Sequence, residues 1–159
     1  MTIDVRPVVA EDEARWQELY SGYRAFYRLA EDPASVARTW SWVRDREHGL
    51  IGLVATLDEQ PVGLANLRSF ARPSTASIGL YLDDLYVDPS VRGAGVGRAL
   101  LRRASELAHD HDASLVRWIT ADDNTTARRL YDAVARATPW VTYDMDPAAS
   151  APADDGSDG

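Results

Sequence analysis

Apolar positions recur at steps of three and four from Trp16 through Leu19, Tyr20, Tyr23 and Tyr27, the spacing of one helix face. Ile3, Val5 and Val8 around Pro7 predict a short strand before it, and Ala10-Glu11-Asp12-Glu13 places acidic residues where a helix begins. Asp32-Pro33 opens a second helix that carries Val36, Trp40 and Val43 to about Asp45. The pattern then changes to β-prone runs. Leu50 to Leu57 and Val62 to Arg68 read as two strands joined by Asp58-Glu59-Gln60-Pro61, a hairpin. Phe70 to Ser77 reads as a loop and Ile78 to Val87 as a third long strand. A helix from about Gly95 to His109 follows, with Leu100, Leu101, Ala104, Leu107 and Ala108 inward. Leu115 to Thr120 is a short buried strand, parallel to its predecessor if that helix is a crossover. Asn124 to Val134 is a fourth helix and Trp140 to Met145 a last strand. Such an order predicts an α/β domain over residues 1–145, a mixed sheet with helices on both faces. From Asp146 the chain is Ala, Pro, Asp, Gly and Ser, an acidic tail over 146–159 that is expected to be disordered.

One passage carries chemistry rather than packing. The strand ending at Val87 runs into Arg92-Gly93-Ala94-Gly95-Val96-Gly97-Arg98, three alternate glycines opening directly into a helix. Backbone N–H groups and a helix dipole converge there, which suits a pyrophosphate. A P-loop would need a Lys after its last Gly, and the chain has no Lys. A dinucleotide fingerprint would need a third Gly where Arg98 stands. A mere helix cap would use one glycine rather than three, so a phosphate-bearing cofactor is expected.

Composition narrows the partners. The chain has 159 residues and a net charge of -8, from 25 acidic and 17 basic side chains, which disfavours nucleic acid and anionic membranes. It has no Cys, hence no thiol nucleophile, and with no leader-like start or apolar span a cytoplasmic location is expected. His109 and His111 are two apart and cannot share a helix face, so no metal site is expected.

Arg92, Gly95 and Gly97 match an Arg/Gln-x-x-Gly-x-Gly/Ala pattern, and Asn124-Thr125-Thr126-Ala127-Arg128-Arg129-Leu130-Tyr131 a second signature. Together they resemble the GNAT family of N-acetyltransferases, over about residues 3–145. The resemblance implies the acyl-CoA N-acyltransferase fold, a twisted sheet of about six or seven strands splayed at the cofactor. It also implies acetyl-CoA as co-substrate, held by Arg92 to Arg98 and Asn124, with a backbone N–H at a bulge around Leu85, Tyr86 and Val87 polarising the thioester. Tyr81-Leu82-Asp83-Asp84 resembles the Tyr-Leu-Glu-Asp of the polyamine-type branch, which makes Asp83 the base. Strand alternation would turn Asp84 to the opposite face, so that only one of the pair meets the acceptor. Tyr131 would be the general acid. Tyr23, Tyr27 and Trp40 would line the acceptor pocket, with Asp84 a further substrate contact. The implied activity is N-acetylation of a primary amine, a polyamine or diamine, a basic peptide or an amino acid, by direct attack in a ternary complex. A homodimer is expected. The rival is an acetyl-CoA-binding sensor with little turnover.

Overall fold

A computed structural model describes residues 2–149, which fall into two compact units, one ending at Asp123 and one starting at Asn124. The first holds a five-stranded sheet in the order β1 (Ile3–Pro7), β2 (Leu50–Leu57), β3 (Gln60–Arg72), β4 (Ser77–Val87) and β5 (Val116–Arg117). Strands β1 to β4 form an antiparallel meander and β5 runs parallel to β4. The helices of this unit are α1 (Glu13–Phe26), α2 (Pro33–Asp45) and α3 (Val96–Asp110). The second unit contains α4 (Thr125–Val134).

Local chemistry explains these boundaries. Asp58 and Glu59 both take left-handed φ values, 49° and 70°, a turn whose twist suits the β2–β3 hairpin. Asp32 caps α2 by accepting the Ser35 N–H at 3.0 Å, with Pro33 in the first turn. Strand β3 extends past Arg68 because Phe70, Ala71 and Arg72 find partners in Gly79, Ile78 and Ser77, so the expected loop contracts to a turn around Pro73–Thr75. The entry to α1 is tied to β1 by the buried Asp12. Its carboxylate accepts two hydrogen bonds from Arg6, at 2.8 and 2.9 Å, and one from the Val9 N–H at 2.9 Å. Burial alone would raise the Asp12 pKa; the Arg6 and Val9 bonds together with the Arg6 charge outweigh it and hold the carboxyl below its ordinary value.

Neighbouring residues Gly63 and Leu64 define the two sheet faces. A Cβ on Gly63 would meet Val96 and Leu100 of α3, whereas Leu64 is buried with Trp16, Leu19, Val36, Trp40 and Val43 of α1 and α2. Helices therefore cover both faces, as the alternating pattern predicts. The sheet has five strands among the described residues rather than six or seven, because Trp140 to Met145 forms neither strand nor helix. No helix among the described residues is long and apolar enough to cross a membrane. The expected tail lies outside the described residues from position 150 onward.

Candidate active site

The β3–β4 register breaks at one point: Asn66 pairs with Asp84 and Leu67 with Leu82, leaving Asp83 as an extra residue. This is a β-bulge, and it cancels the alternation that would separate two adjacent side chains. Asn66 Nδ2 donates to Asp84 Oδ2 at 2.9 Å, and Arg68 Nε donates to Asp83 at 3.0 and 3.2 Å. Asn66 and Arg68 lie two apart on β3 and so share a face. Both carboxylates consequently turn to one face, which corrects the expectation that only one could. The bulge itself also differs from expectation: Leu85, Tyr86 and Val87 stay in register with Ala65, Leu64 and Gly63.

Above that face, α1 presents a column of rings. Trp16, Tyr20, Tyr23 and Tyr27 follow one another with centroid spacings of 4.7, 5.4 and 4.9 Å, from a fully buried Trp16 to an exposed Tyr27. The Tyr20 hydroxyl donates to Asp84 at 3.4 Å. Burial first, then the Asp84 charge and hydrogen bonding to it, push the Tyr20 and Tyr23 hydroxyls upward; burial and the same charge raise Tyr27. All three phenols stay neutral donors at physiological pH. The Tyr86 ring meets Tyr23 edge-on at 6.4 Å and lies under Gly22, where a Cβ would come within 2.6 Å of its hydroxyl. Trp40 departs from expectation: it packs on Trp16 at 5.3 Å and is 1% exposed, a core residue rather than a pocket wall. Asn66 is equally buried, and its Oδ1 has no hydrogen-bond partner among the described residues.

The two carboxylates are not equivalent. Burial lifts the Asp83 pKa above its ordinary value, opposed by the charge and hydrogen bond of Arg68 and helped by the charge of Asp84. Asp84 instead accepts donors from Asn66 and the tyrosines.

Beyond the bulge, β5 pairs only with Leu80 and Tyr81. Asp88 N donates to Val62 O at 2.8 Å, so alternation directs the Tyr86 N–H to β3 and the Leu85 and Val87 N–H groups to the edge where β5 has ended. The end of β5, not a bulge, leaves these two donors facing that edge. Tyr86 offers none there.

The glycine loop follows directly. Asp88 accepts from the Ser90 N–H at 2.9 Å and pairs with Arg15 of α1 at 2.5 Å, which anchors the turn into the loop. Gly93 and Gly95 adopt φ of 84° and 91°, values that a side chain disfavours. A Cβ on Gly93 would meet nothing within 4 Å, and one on Gly95 only Ile3 at 3.9 Å. No side chain caps α3, whose first-turn N–H groups at Val96, Gly97 and Arg98 are therefore open to an anion. The Val96 side chain is buried, and the Ala94 N–H is spent on Val91 O. Arg92 and Arg98 are exposed, and Arg92 lies over Phe26 of α1 at 5.8 Å. The loop thus has the donors, the space and the charge for a pyrophosphate, and it adjoins the end of the aromatic column.

In the second unit, Asn124 is the N-cap of α4 and accepts from the Ala127 N–H at 3.4 Å. Tyr131, seven residues on, returns to the same side of the helix.

Asn66, Arg68 and Tyr20 belong to no motif and were not among the expected site residues. A polar Asn within the apolar run from Val62 to Leu67 was the available signal.

Known proteins match this chain throughout the same region. The acetyltransferase (GNAT) family model matches residues 16–134. A thialysine N-epsilon-acetyltransferase of Caenorhabditis elegans is 34% identical over 103 residues, 62% of this chain and 64% of that protein, so the chain spans under two thirds of that relative. A D-amino-acid N-acetyltransferase of Saccharomyces cerevisiae is 29% identical over 143 residues, covering 89% of each. An aminoglycoside N-acetyltransferase solved in complex with CoA superposes with a TM-score of 0.79 at 16% identity, over 92% of this chain and 96% of that one, a likeness of fold alone. The chain belongs to the acetyltransferase (GNAT) family, a family of acetyl-CoA-dependent acyltransferases.

Proposed function

We propose that this chain transfers an acetyl group from acetyl-CoA to a primary amine by direct attack. The observation that carries the reading is the bulge at Asp83, which turns two adjacent carboxylates toward one aromatic-lined face next to the glycine loop. Acetyl-CoA, when bound, supplies the activated thioester. The glycine loop from Arg92 to Arg98 holds its pyrophosphate, and Leu85 and Val87 offer N–H donors to a carbonyl oxygen at the open strand edge.

An alkylammonium of pKa ~10.4 must lose its proton to react, at a cost of roughly 4 to 5 kcal/mol at pH 7. Asp84, held in place by the Asn66 Nδ2 donor, orients the ammonium. Asp83 takes its proton, directly or through water. Tyr131 returns a proton to the leaving sulfur, a transfer suited to a phenol of pKa ~10. The S. cerevisiae and C. elegans relatives are named for amino-acid amines, and this favours an amine of that size. The same reading puts the reaction in the cytoplasm and the enzyme in a homodimer.

The test is release of free thiol from acetyl-CoA across a panel of amines, with Tyr131→Phe alongside. Turnover with at least one amine and a loss of ~10²-fold in the variant are expected. No turnover with any amine, while acetyl-CoA still raises thermal stability, would instead identify a sensor.

A further inference from the structure

Past the bulge, the acceptor face changes sign. Arg68 pairs across with Tyr81 and Tyr81 with Arg117, so one row on that face runs Arg, Tyr, Arg over β3, β4 and β5. The Arg68 guanidinium lies over the Tyr81 ring at 4.7 Å. Arg117 lies over Phe70 at 5.5 Å, and Phe70 meets Tyr81 edge-on at 6.0 Å. Stacking of this kind holds a guanidinium in place while leaving its edge donors available. Arg68 spends only Nε on Asp83; its two terminal nitrogens, like all three nitrogens of Arg117, have no hydrogen-bond partner among the described residues.

The site is therefore dipolar. Asp83 and Asp84 form a negative end; Arg68 lies beside it, its Nε on Asp83 at 3.0 Å, and its terminal nitrogens with Arg117, on β5 across Tyr81, form a positive end. A polyamine has cations at both ends, and its second ammonium would fall against Arg68 and Arg117. A molecule with an ammonium and a carboxylate matches both ends.

We infer that the acceptor is an amino acid with a free carboxylate, its amine directed to Asp84 and its carboxylate held by Arg68 and Arg117. This inference rests on the acetyltransferase reading and specifies the substrate class of the same site. It selects the amino acid from the three acceptor classes that the sequence resemblance implies. Arg68 and Arg117 determine specificity here and take no proton.

Matched acceptors isolate the carboxylate. Lysine, lysinamide and cadaverine keep the same side-chain amine while the carboxylate is present, neutralised as an amide, or absent. The intact protein should favour lysine over both others by about tenfold in kcat/KM, the size of a charge-assisted hydrogen bond. Arg68→Gln should bring the three acceptors to within about twofold of one another. Arg117→Gln, which leaves the Arg68–Asp83 pair intact, should lower lysine's advantage from both sides, raising the KM of lysine and lowering that of cadaverine. Equal or better use of cadaverine by the unaltered protein would overturn the assignment, as would a lysine preference that survives Arg68→Gln. Failure of all three acceptors alongside every other amine would be a different result, removing the acetyltransferase reading together with this inference.

Discussion

Asp83 and Asp84 differ in what already holds them, and that difference divides their work. Asp84 accepts from Asn66 and Tyr20, so its carboxylate is already fixed in place, which suits orienting an ammonium. Asp83 is raised by burial against a single opposing guanidinium, which suits proton acceptance. Asp83→Asn should lower kcat by ~10²-fold at pH 7 and recover part of it at higher pH, where solvent deprotonates the amine. Asp84→Asn should act mainly on the KM of the amine, raising it about tenfold. A base works only when ionised, so the unaltered enzyme should lose activity as pH falls through the Asp83 pKa, which lies above the usual carboxylate value. Identical kinetic defects in the two variants would contradict this division. The pair was legible from Tyr81-Leu82-Asp83-Asp84, but its orientation was not. A bulge is a property of two strands in register, and nothing within β4 alone announces that Asp83 lacks a partner in β3. Arg68 is silent in the sequence for the same reason, since its meaning depends on the cross-strand row through Tyr81 and Arg117.

Among the elements, the glycine loop into α3 makes the most specific demand on backbone conformation. Gly95 is the N-cap of α3 with φ 91° and ψ 8°, and a Cβ there has open space except for Ile3 at 3.9 Å. Gly95→Ala should therefore cost only the left-handed strain, about 1–2 kcal/mol, without a steric clash. For a chain of this length that is a fall of a few degrees in unfolding temperature. If the loop cradles a pyrophosphate, the same change should raise the KM for acetyl-CoA and leave the KM of the amine close to its original value. A rise confined to the amine would place the cofactor elsewhere. This loop could be read from sequence because its requirement is local: glycine is the residue that tolerates such φ values, and the helix begins at once. The stripe from Trp16 to Tyr27 was readable for a similar reason, as a 3.6-residue period belongs to one helix. Trp40 differs from expectation because periodicity assigns a residue to the apolar face without saying whether that face ends in a pocket or in the core. The free N–H groups of Leu85 and Val87 required knowing where β5 stops, and its two-residue length is set by tertiary pairing.

On the scale of the whole molecule, the unresolved demand is at the end of the described chain. Trp140, Val141, Tyr143 and Met145 are 81%, 73%, 90% and 94% exposed. Val141, Tyr143 and Met145 alternate with Thr142 and Asp144, which is why the segment reads as a strand, yet it has no strand partner among the described residues. Water is a poor environment for so many large apolar side chains in one short run, and an extended segment also carries unpaired backbone groups that invite a second chain. A second copy of this protein meets both requirements, and the proposed homodimer is the assembly in which each copy would cover the other's segment. Sedimentation should accordingly give twice the chain mass at micromolar concentration. Trp140→Ser with Tyr143→Ser should shift the protein to monomer while the unfolding temperature of the first unit, which contains neither residue, changes little. The net charge of -8 works against association, so raising the salt should strengthen the dimer of the unaltered chain. A monomer at every concentration and salt would remove the second copy as the partner of Trp140 to Met145.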